Sequence, residues 1–239
     1  KGRNNNMYSF DSRVRYSEIG HRGTMTLPAL INYFQDCSTF QSEDIGVGVE
    51  VLKKRKKAWI LSYWQVVIER FPKVCEQITV GTFATGFKGL YGNRNFLMLD
   101  SEGKRAACAN SVWVFMDTEK GRPVRPGDED VLPYGTEPPL NMEYEDRKIR
   151  LPVSSEVLPS FPVRKYHIDT NNHVNNCQYV QMALEMLPDD MDVHQLRVDY
   201  KQSAKYGDII FPKVAFETER TIVELCDGNE KPYAVIEFK

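Results

Sequence analysis

The sequence predicts an α+β protein in which one plan, a long helix followed by a run of antiparallel strands, occurs twice. Two segments have apolar residues at helical spacing, and each is followed by extended apolar runs, the last two of which are joined by a hairpin signal. Between the two copies, eight of the 13 prolines fall between Pro123 and Pro162. Because proline blocks regular helix and inner strand, this stretch is predicted to be a connector. We therefore predict a first domain over residues 8–125, a connector over 126–160 and a second domain over 161–239.

The first copy is predicted to open with a strand over residues 14–19, followed by a glycine-containing turn and a long helix that runs to about Ile45. Thr26 suits the N-cap of this helix and Pro28 its first turn. Its apolar residues at helical spacing are Leu27, Leu30, Ile31, Phe34 and Cys37. The predicted strands lie at residues 58–68, 78–83, 96–99 and 107–115. The first of these is apolar on both faces, which is typical of a central strand.

The second copy repeats this plan after the connector. A strand is predicted over residues 163–168, and a polar turn over 169–176 leads into the second helix. The apolar residues on one face of that helix are Val180, Ala183, Leu184 and Leu187, and Pro188 follows them. The predicted strands lie at residues 196–200, 209–216, 222–225 and 233–238.

Composition excludes several classes of protein. The chain has 239 residues, 41% of them hydrophobic, and its 31 basic and 33 acidic residues give a net charge of -2. A general nucleic-acid or membrane-surface binder would need a basic excess, and no apolar stretch approaches the ~20 residues that span a bilayer. Residues 1–7 contain no apolar segment of the secretory kind, so we expect a cytoplasmic protein. The five cysteines are scattered, which disfavours disulfides and a zinc site.

One segment, Asp169–Asn176, combines ionisable and hydrogen-bonding side chains densely enough to suggest chemistry. It precedes the second helix, whose first N–H groups have no partner within the helix and carry the positive end of its dipole. Such groups can stabilise the negative charge that develops on a carbonyl oxygen under attack. A histidine oriented by a carboxylate or an amide can act as a general base on water. Asp169, Asn171 and His173 are therefore candidates for transfer of an acyl group to water.

Structural explanations of these residues stay open. Asn175 and Asn176 are of the type that caps helices, and a single histidine in a turn is commonly a surface residue. Cys177 could be a thiol nucleophile at the helix start, although packing in the core is favoured because free cysteine is usually buried. A metal site at Asp169 and His173 is disfavoured, since no second histidine or carboxylate cluster lies near them in the sequence.

The segment resembles the catalytic motif of the acyl-acyl carrier protein thioesterases of plants and bacteria, Asp-x-Asn-x-His-x-Asn-Asn followed by an amphipathic helix. Residues 66–72 and 78–80 are similar to that family's strand, Arg-Phe/Tyr-Pro turn and second strand, and residues 111–116 resemble its Ser-x-Trp-Val-x-Met segment. The resemblance covers roughly residues 8–239. It implies two tandem hotdog domains, each a long helix wrapped by an antiparallel β-sheet. It also implies hydrolysis of fatty acyl-carrier thioesters in fatty acid biosynthesis, without a cofactor or a metal.

By this resemblance, Asp169 and Asn171 hold His173 and the attacking water in place. The helix N-terminus near Val174 and Asn175 would polarise the thioester carbonyl. The corresponding turn of the first copy lacks the aspartate and the asparagine. One site per chain is therefore expected, with the first domain holding the acyl chain.

The chain departs from the family at Ser203, where the family carries a glutamate that is a proposed catalytic partner. Serine can hold a water molecule but cannot accept its proton at neutral pH. The chain therefore lacks the carboxylate that a Glu-dependent mechanism requires at this position. Besides the carrier thioesterase, two alternatives stay open: a carrier-binding protein with weak catalysis, and another hotdog enzyme such as an acyl-CoA thioesterase or a hydroxyacyl dehydratase.

The strongest charge cluster is a run of five basic residues, Lys53, Lys54, Arg55, Lys56 and Lys57. It is either a solvated loop or a docking site for a small acidic carrier protein, because clustered cations steer acidic partners. A nucleic-acid role is not expected. The oligomeric state stays open: a homodimer is one alternative, but a tandem pair of hotdogs can satisfy internally the pairing that single hotdogs reach by dimerising.

Overall fold

The structure, a computed structural model, describes residues 7–189 and 191–239. The chain forms two compact units. The first comprises the chain up to Ser62 together with Val66–Tyr144, and the second comprises Tyr63–Gln65 together with Glu145–Lys239. The segment predicted as a connector, 126–160, is divided between these two units.

The first unit is a sheet on which one long helix packs. Its helices are α1 (Leu27–Asp44), α2 (Val49–Lys54) and α3 (Asp128–Val131). Its strands are β1 (Tyr8–Arg13), β2 (Lys57–Ile68, apart from residues 63–65, which belong to the second unit), β3 (Gln77–Lys88), β4 (Tyr91–Asp100), β5 (Arg105–Asp117) and the short β6 (Arg122–Pro123). The order is β1-β3-β4-β5-β2, with β6 on β5, and the pairs from β1 to β5 are antiparallel.

Helix α1 confirms the prediction for the first long helix. The side-chain oxygen of Thr26 accepts a hydrogen bond from the N–H of Ala29 (3.3 Å), and Pro28 lies in the first turn. Phe34 and Cys37, on the predicted apolar face, are completely buried. This face packs against β3, so burial of apolar surface holds the helix on the sheet.

The second unit has the same plan with a shorter helix, α4 (Asn176–Leu184). Its strands are β7 (Glu156–Val157), β8 (Phe161–Pro162), β9 (Gln195–Tyr200), β10 (Ile209–Phe216), β11 (Thr221–Cys226) and β12 (Pro232–Phe238). The order is β9-β12-β11-β10-β7, with β8 on β10, and every pair is antiparallel. Helix α4 packs on β11 and β12. It ends before Leu187, which was predicted to lie on its apolar face.

Two of the predicted strands are wrong. Short 3-10 helices occupy these places, at Tyr16–Glu18 instead of 14–19 and at Lys165–His167 instead of 163–168. In the first, the N–H of Arg15 donates to the carboxylate of Glu18 (2.8 Å); in the second, the N–H of Arg164 donates to Nδ1 of His167 (2.9 Å). A side chain three residues ahead thus closes each segment into a local turn and competes with strand pairing.

Candidate active site

The polar segment of the second unit forms a closed turn that leads into α4. The N–H of Asp169 donates to the carbonyl of His173 (2.9 Å), and the N–H of Asn172 donates to the carbonyl of Asp169 (3.1 Å). Oδ1 of Asp169 accepts from the N–H of Asn171 (2.8 Å). Asn172 has a φ of 60°, a left-handed conformation that asparagine tolerates better than most residues. The structure thereby places Asp169, Asn171 and His173 within one five-residue turn.

The three candidate side chains differ in exposure and are not bonded to one another. Asp169 and His173 are half-buried, while Asn171 is exposed. Within residues 7–189 and 191–239, no hydrogen bond joins the side chain of His173 to that of Asp169 or Asn171. The carboxylate of Asp169 instead stabilises its own turn. That these two residues hold His173 for catalysis stays a prediction.

The backbone at the start of α4 restricts which N–H groups can face a substrate. The N–H of Val174 donates to the carbonyl of Ala204 (2.9 Å), and that of Asn175 donates to the carbonyl of His167 (2.9 Å). Both groups named by the resemblance therefore already have acceptors. The N–H of Asn176, the first helical residue, has no acceptor in the described parts of the chain. It is the better candidate for a carbonyl oxygen at the positive end of the helix.

Asn175 and Cys177 have clear structural roles at this helix start. Asn175 is the N-cap, and its Oδ1 accepts from the N–H of Cys177 (2.9 Å). The Cys177 side chain is buried, and burial raises the pKa of its thiol to about 12. At neutral pH the thiol is therefore protonated, which supports packing rather than a role as nucleophile.

Ser203 comes next to the turn from a distant part of the sequence. Its neighbour Ala204 accepts from the N–H of Val174, and the N–H of Ala204 donates to the hydroxyl of Tyr179 (2.8 Å). These bonds fix the segment beside the start of α4. Ser203 itself is exposed. A serine at this position can therefore contact solvent next to the turn, although its part in catalysis stays a prediction.

The first unit contains the same backbone turn without these side chains. The N–H of Gly20 donates to the carbonyl of Thr24 (3.0 Å), and that of Gly23 donates to the carbonyl of Gly20 (2.9 Å). Gly23 has a φ of 72°, as Asn172 has a left-handed φ in the second unit. Where the second unit has aspartate, asparagine and histidine, the first has Gly20, Arg22 and Thr24. The polar side chains are therefore not needed to form the turn.

His167 also belongs to the site region, although no sequence motif indicated it. Its imidazole is buried, its Nδ1 accepts from the N–H of Arg164, and its carbonyl accepts from the N–H of Asn175. Burial, and to a smaller extent the positive charge of Arg164, lower the pKa of His167. The ring is thus neutral, with its proton on Nε2. Alignment of the two copies could have identified His167, because it places this residue opposite Glu18, which accepts the equivalent N–H in the first unit.

The predicted docking run is only partly available to a partner. Arg55 forms ion pairs with Glu129 (2.9 Å) and Asp130 (2.7 Å), and Lys57 pairs with Asp117 (2.9 Å). These two cations stabilise the first unit itself. The three exposed members of the run are Lys53, Lys54 and Lys56.

Two further classes of site find no support in the residues that the structure describes. No group of three or more histidine, cysteine, aspartate or glutamate side chains among them is placed to hold a metal ion. Across the same residues, no helix has the length and apolar character needed to cross a membrane.

Comparison with known families gives matches over most of the chain. Residues 5–134 match the model of the acyl-ACP thioesterase N-terminal domain, and residues 152–231 match that of the acyl-ACP thioesterase C-terminal domain. Oleoyl-acyl carrier protein thioesterase 2, chloroplastic, of Arabidopsis thaliana is 24% identical over 90% of this chain and 65% of its own length. Palmitoyl-acyl carrier protein thioesterase, chloroplastic, of Gossypium hirsutum is 26% identical over 82% of this chain and 52% of its own length. The chain thus spans less than two thirds of these relatives.

Solved structures of similar fold cover nearly the whole chain. An acyl-ACP thioesterase from Bacteroides thetaiotaomicron has a TM-score of 0.89 at 21% identity, covering 98% of this chain and 97% of that one. The 12:0-ACP thioesterase from Umbellularia californica has a TM-score of 0.87 at 18% identity, covering 100% and 98%. They confirm the predicted α+β fold with hotdog domains. From the two domain matches, in the order that the repeated plan predicts, it follows that the chain belongs to the acyl-ACP thioesterase family.

Proposed function

We propose that this chain hydrolyses the thioester between a fatty acyl group and acyl carrier protein, releasing free fatty acid and the carrier in fatty acid biosynthesis. The observation that carries the proposal is the turn at the start of α4. The second unit has Asp169, Asn171 and His173 there, while the same turn of the first unit lacks all three side chains. The curated relatives are named as thioesterases of acyl-carrier substrates, which supports the same activity here.

The reaction follows from the chemistry of these groups. A water molecule attacks the thioester carbonyl carbon while His173 takes its proton, and the N–H of Asn176 stabilises the charge on the carbonyl oxygen. The carbon–sulfur bond of the tetrahedral intermediate then breaks, and the leaving thiolate takes the proton from His173. In this scheme Asp169 and Asn171 orient the histidine and the water. Ser203 can bind water but cannot replace His173 as the base.

The proposal is tested by the release of free thiol from acyl-carrier thioesters of graded chain length. His173→Ala should lower kcat by about 100-fold or more, because general-base catalysis typically contributes ~10² to 10⁴ in rate. His21→Ala is the matched control, since His21 is an exposed histidine in the equivalent turn of the first unit. Equal thiol release by wild type and His173→Ala would refute the assignment. Tight carrier binding without any hydrolysis would instead favour the carrier-binding alternative.

Two finer points belong to this proposal. The carrier protein is the proposed partner, whereas the oligomeric state stays open between a monomer and a homodimer, which the mass of the protein in solution would distinguish. A cytoplasmic location also stays a prediction, and the curated relatives named above are chloroplastic. Fractionation of cells that express the native gene would test the location.

A further inference from the structure

We propose that an exposed patch of the second unit, beside the turn at residues 169–173, docks an acidic carrier protein. We call it the rim patch, and its residues are Arg164, Lys165, Tyr166, Lys205 and Tyr206. The inference rests on the proposed function, because it names the surface by which the partner would approach that same site. It replaces the basic run of the first unit as the principal docking surface.

The rim patch is built from two segments that the backbone holds together. The N–H of Val163 donates to the carbonyl of Asp208 (2.8 Å), and the N–H of Gly207 donates back to the carbonyl of Val163 (3.3 Å). The ammonium of Lys165 lies 5.9 Å from the centroid of the Tyr206 ring, within the range of a cation–π contact. Residues 164–166 and 205–206 therefore form one continuous surface.

This surface adjoins the candidate catalytic turn on two sides. The carbonyl of Ala204, immediately before Lys205, accepts from the N–H of Val174. The carbonyl of His167, immediately after Tyr166, accepts from the N–H of Asn175. Each segment of the patch is thus one hydrogen bond away from the start of α4. For a carrier bound to the patch, we expect the pantetheine arm to bring the acyl thioester to His173.

The three cations of the patch form no ion pair with the described residues, and the carboxylate of Asp208 beside them accepts the backbone N–H of Lys205 (2.8 Å). The side chains of Arg164, Lys165 and Lys205 are exposed, and no carboxylate of the described residues lies within 4.0 Å of their charged nitrogens. By contrast, nearby Lys201 forms an ion pair with Asp199 and is not included in the patch. Exposed cations that form no ion pair are the groups that can steer and hold an acidic protein.

The two units differ at the residue that would otherwise neutralise the patch. In the first unit, the guanidinium of Arg15 forms an ion pair with Glu18 (2.7 Å), whose carboxylate also accepts the N–H of Arg15. In the second unit, the neutral imidazole of His167 accepts the equivalent N–H of Arg164. The local turn is therefore preserved while the arginine keeps an uncompensated charge. The difference lies in the unit that carries the candidate catalytic side chains.

The aromatic residues of the patch fit a protein partner better than a small ion. Tyr166 is 76% exposed and Tyr206 is 60% exposed, although tyrosine side chains usually bury more of their surface. Exposed tyrosine together with arginine is typical of the residues that dominate protein interfaces. Cations set among exposed aromatic rings therefore indicate an acidic protein surface as the ligand.

The test compares charge reversal at three places. The patch variant is Arg164→Glu/Lys165→Glu/Lys205→Glu, and the rival variant reverses the exposed lysines of the first unit, Lys53→Glu/Lys54→Glu/Lys56→Glu. A matched control, Lys88→Glu/Lys120→Glu/Lys148→Glu, makes the same change in net charge at other exposed lysines. For each protein, kcat/KM is measured on an acyl-carrier thioester and on the acyl-pantetheine thioester, which has no protein part. The ratio of the two values corrects for any loss of folded protein.

We expect the patch variant to lower this ratio about tenfold or more, mainly through KM and most strongly at low salt. The control variant should keep the wild-type ratio. An unchanged ratio in the patch variant, or a larger fall in the rival variant, would overturn the inference. If the wild type hydrolyses neither substrate, the proposed function fails instead. Binding of the labelled carrier, followed by fluorescence anisotropy, then tests the patch alone, and equal affinity of wild type and patch variant would overturn it.

Discussion

His167 should make the protein less stable in mildly acidic solution. Its Nδ1 can accept the N–H of Arg164 only while that nitrogen is unprotonated. The pKa of the buried imidazole is lowered in the folded protein, whereas in the unfolded chain it returns to about 6.5. Between these two pKa values the unfolded state binds more protons than the folded state. The contribution of His167 to the free energy of unfolding is therefore complete above pH of about 6.5, and it is lost as the pH falls towards the folded pKa.

The size of this effect is bounded by the single proton involved. One group changes the free energy of unfolding by at most about 1.4 kcal/mol for each pH unit within the window between its two pKa values. Removal of the imidazole by His167→Ala should cost about 1 to 3 kcal/mol at pH 8, because the N–H of Arg164 loses its acceptor and a buried ring is lost. His167→Glu introduces the residue that the first unit has at this place. Its carboxylate can still accept the N–H of Arg164, and it stays ionised down to about pH 5.

The assay is urea denaturation of the three proteins from pH 8 to pH 5, with the difference between wild type and each variant taken at every pH. These differences cancel the contribution of the other titrating groups. The advantage of wild type over His167→Ala should shrink as the pH falls, and His167→Glu should lose less stability than wild type. If wild type and His167→Ala lose the same free energy between pH 8 and pH 5, the reasoning about the buried imidazole is wrong.

Three further predictions concern the two helix N-caps, the buried thiol of Cys177 and the side chain at position 203. Asn175→Ala and Thr26→Ala each remove an N-cap and should each lower the free energy of unfolding by about 1 kcal/mol in denaturant titrations, but only Asn175→Ala should also lower kcat. Iodoacetamide at pH 8 should modify the exposed Cys75 and leave Cys177 unmodified, because burial raises the pKa of the Cys177 thiol to about 12. Peptide mass mapping measures both reactions, and labelling of the two cysteines at the same rate would contradict the prediction. Ser203→Glu should raise kcat on acyl-carrier thioesters if a carboxylate there assists the base, and an unchanged kcat would show that His173 acts without it.

Sequence patterns predicted the main elements because local rules determine them. A run that is apolar on both faces predicted the long strand β2, and the cap at Thr26 with Pro28 predicted the start of α1. The strand β1 was not predicted. Its alternate residues are only partly buried, so its apolar pattern is weak. The two 3-10 helices were mistaken for strands because the pattern does not show which side chain will accept the N–H three residues earlier.

The site was only partly predictable for a different reason. The motif from Asp169 to His173 is contiguous in sequence, so its presence and its position before a helix could be predicted directly. The bond between Val174 and Ala204 joins residues 30 positions apart, and it decides which N–H groups remain available to a substrate. Pairing of distant segments depends on the whole sheet. No local pattern could have shown that the backbone N–H of Asn176 has no acceptor among the described residues while those of Asn175 and Cys177 have one.

The repeated turn gives the chain a second scaffold on which the same chemistry could be installed by design. At Gly20, a Cβ atom would lie 3.4 Å from Cγ2 of Thr26, an ordinary van der Waals contact, so the backbone there accepts a side chain. Gly20→Asp, Arg22→Asn and Thr24→His would transfer the motif to a backbone that already has the required hydrogen bonds. Beside that turn the N–H of Met25 donates to the carbonyl of Pro72 (2.7 Å), as that of Val174 donates to Ala204, so Phe71 lies where the second unit has Ser203. The activity of this variant is measured with His173→Ala in the same chain, so that the original site does not contribute. It would show how much of the rate depends on the motif itself and how much depends on the residues around it.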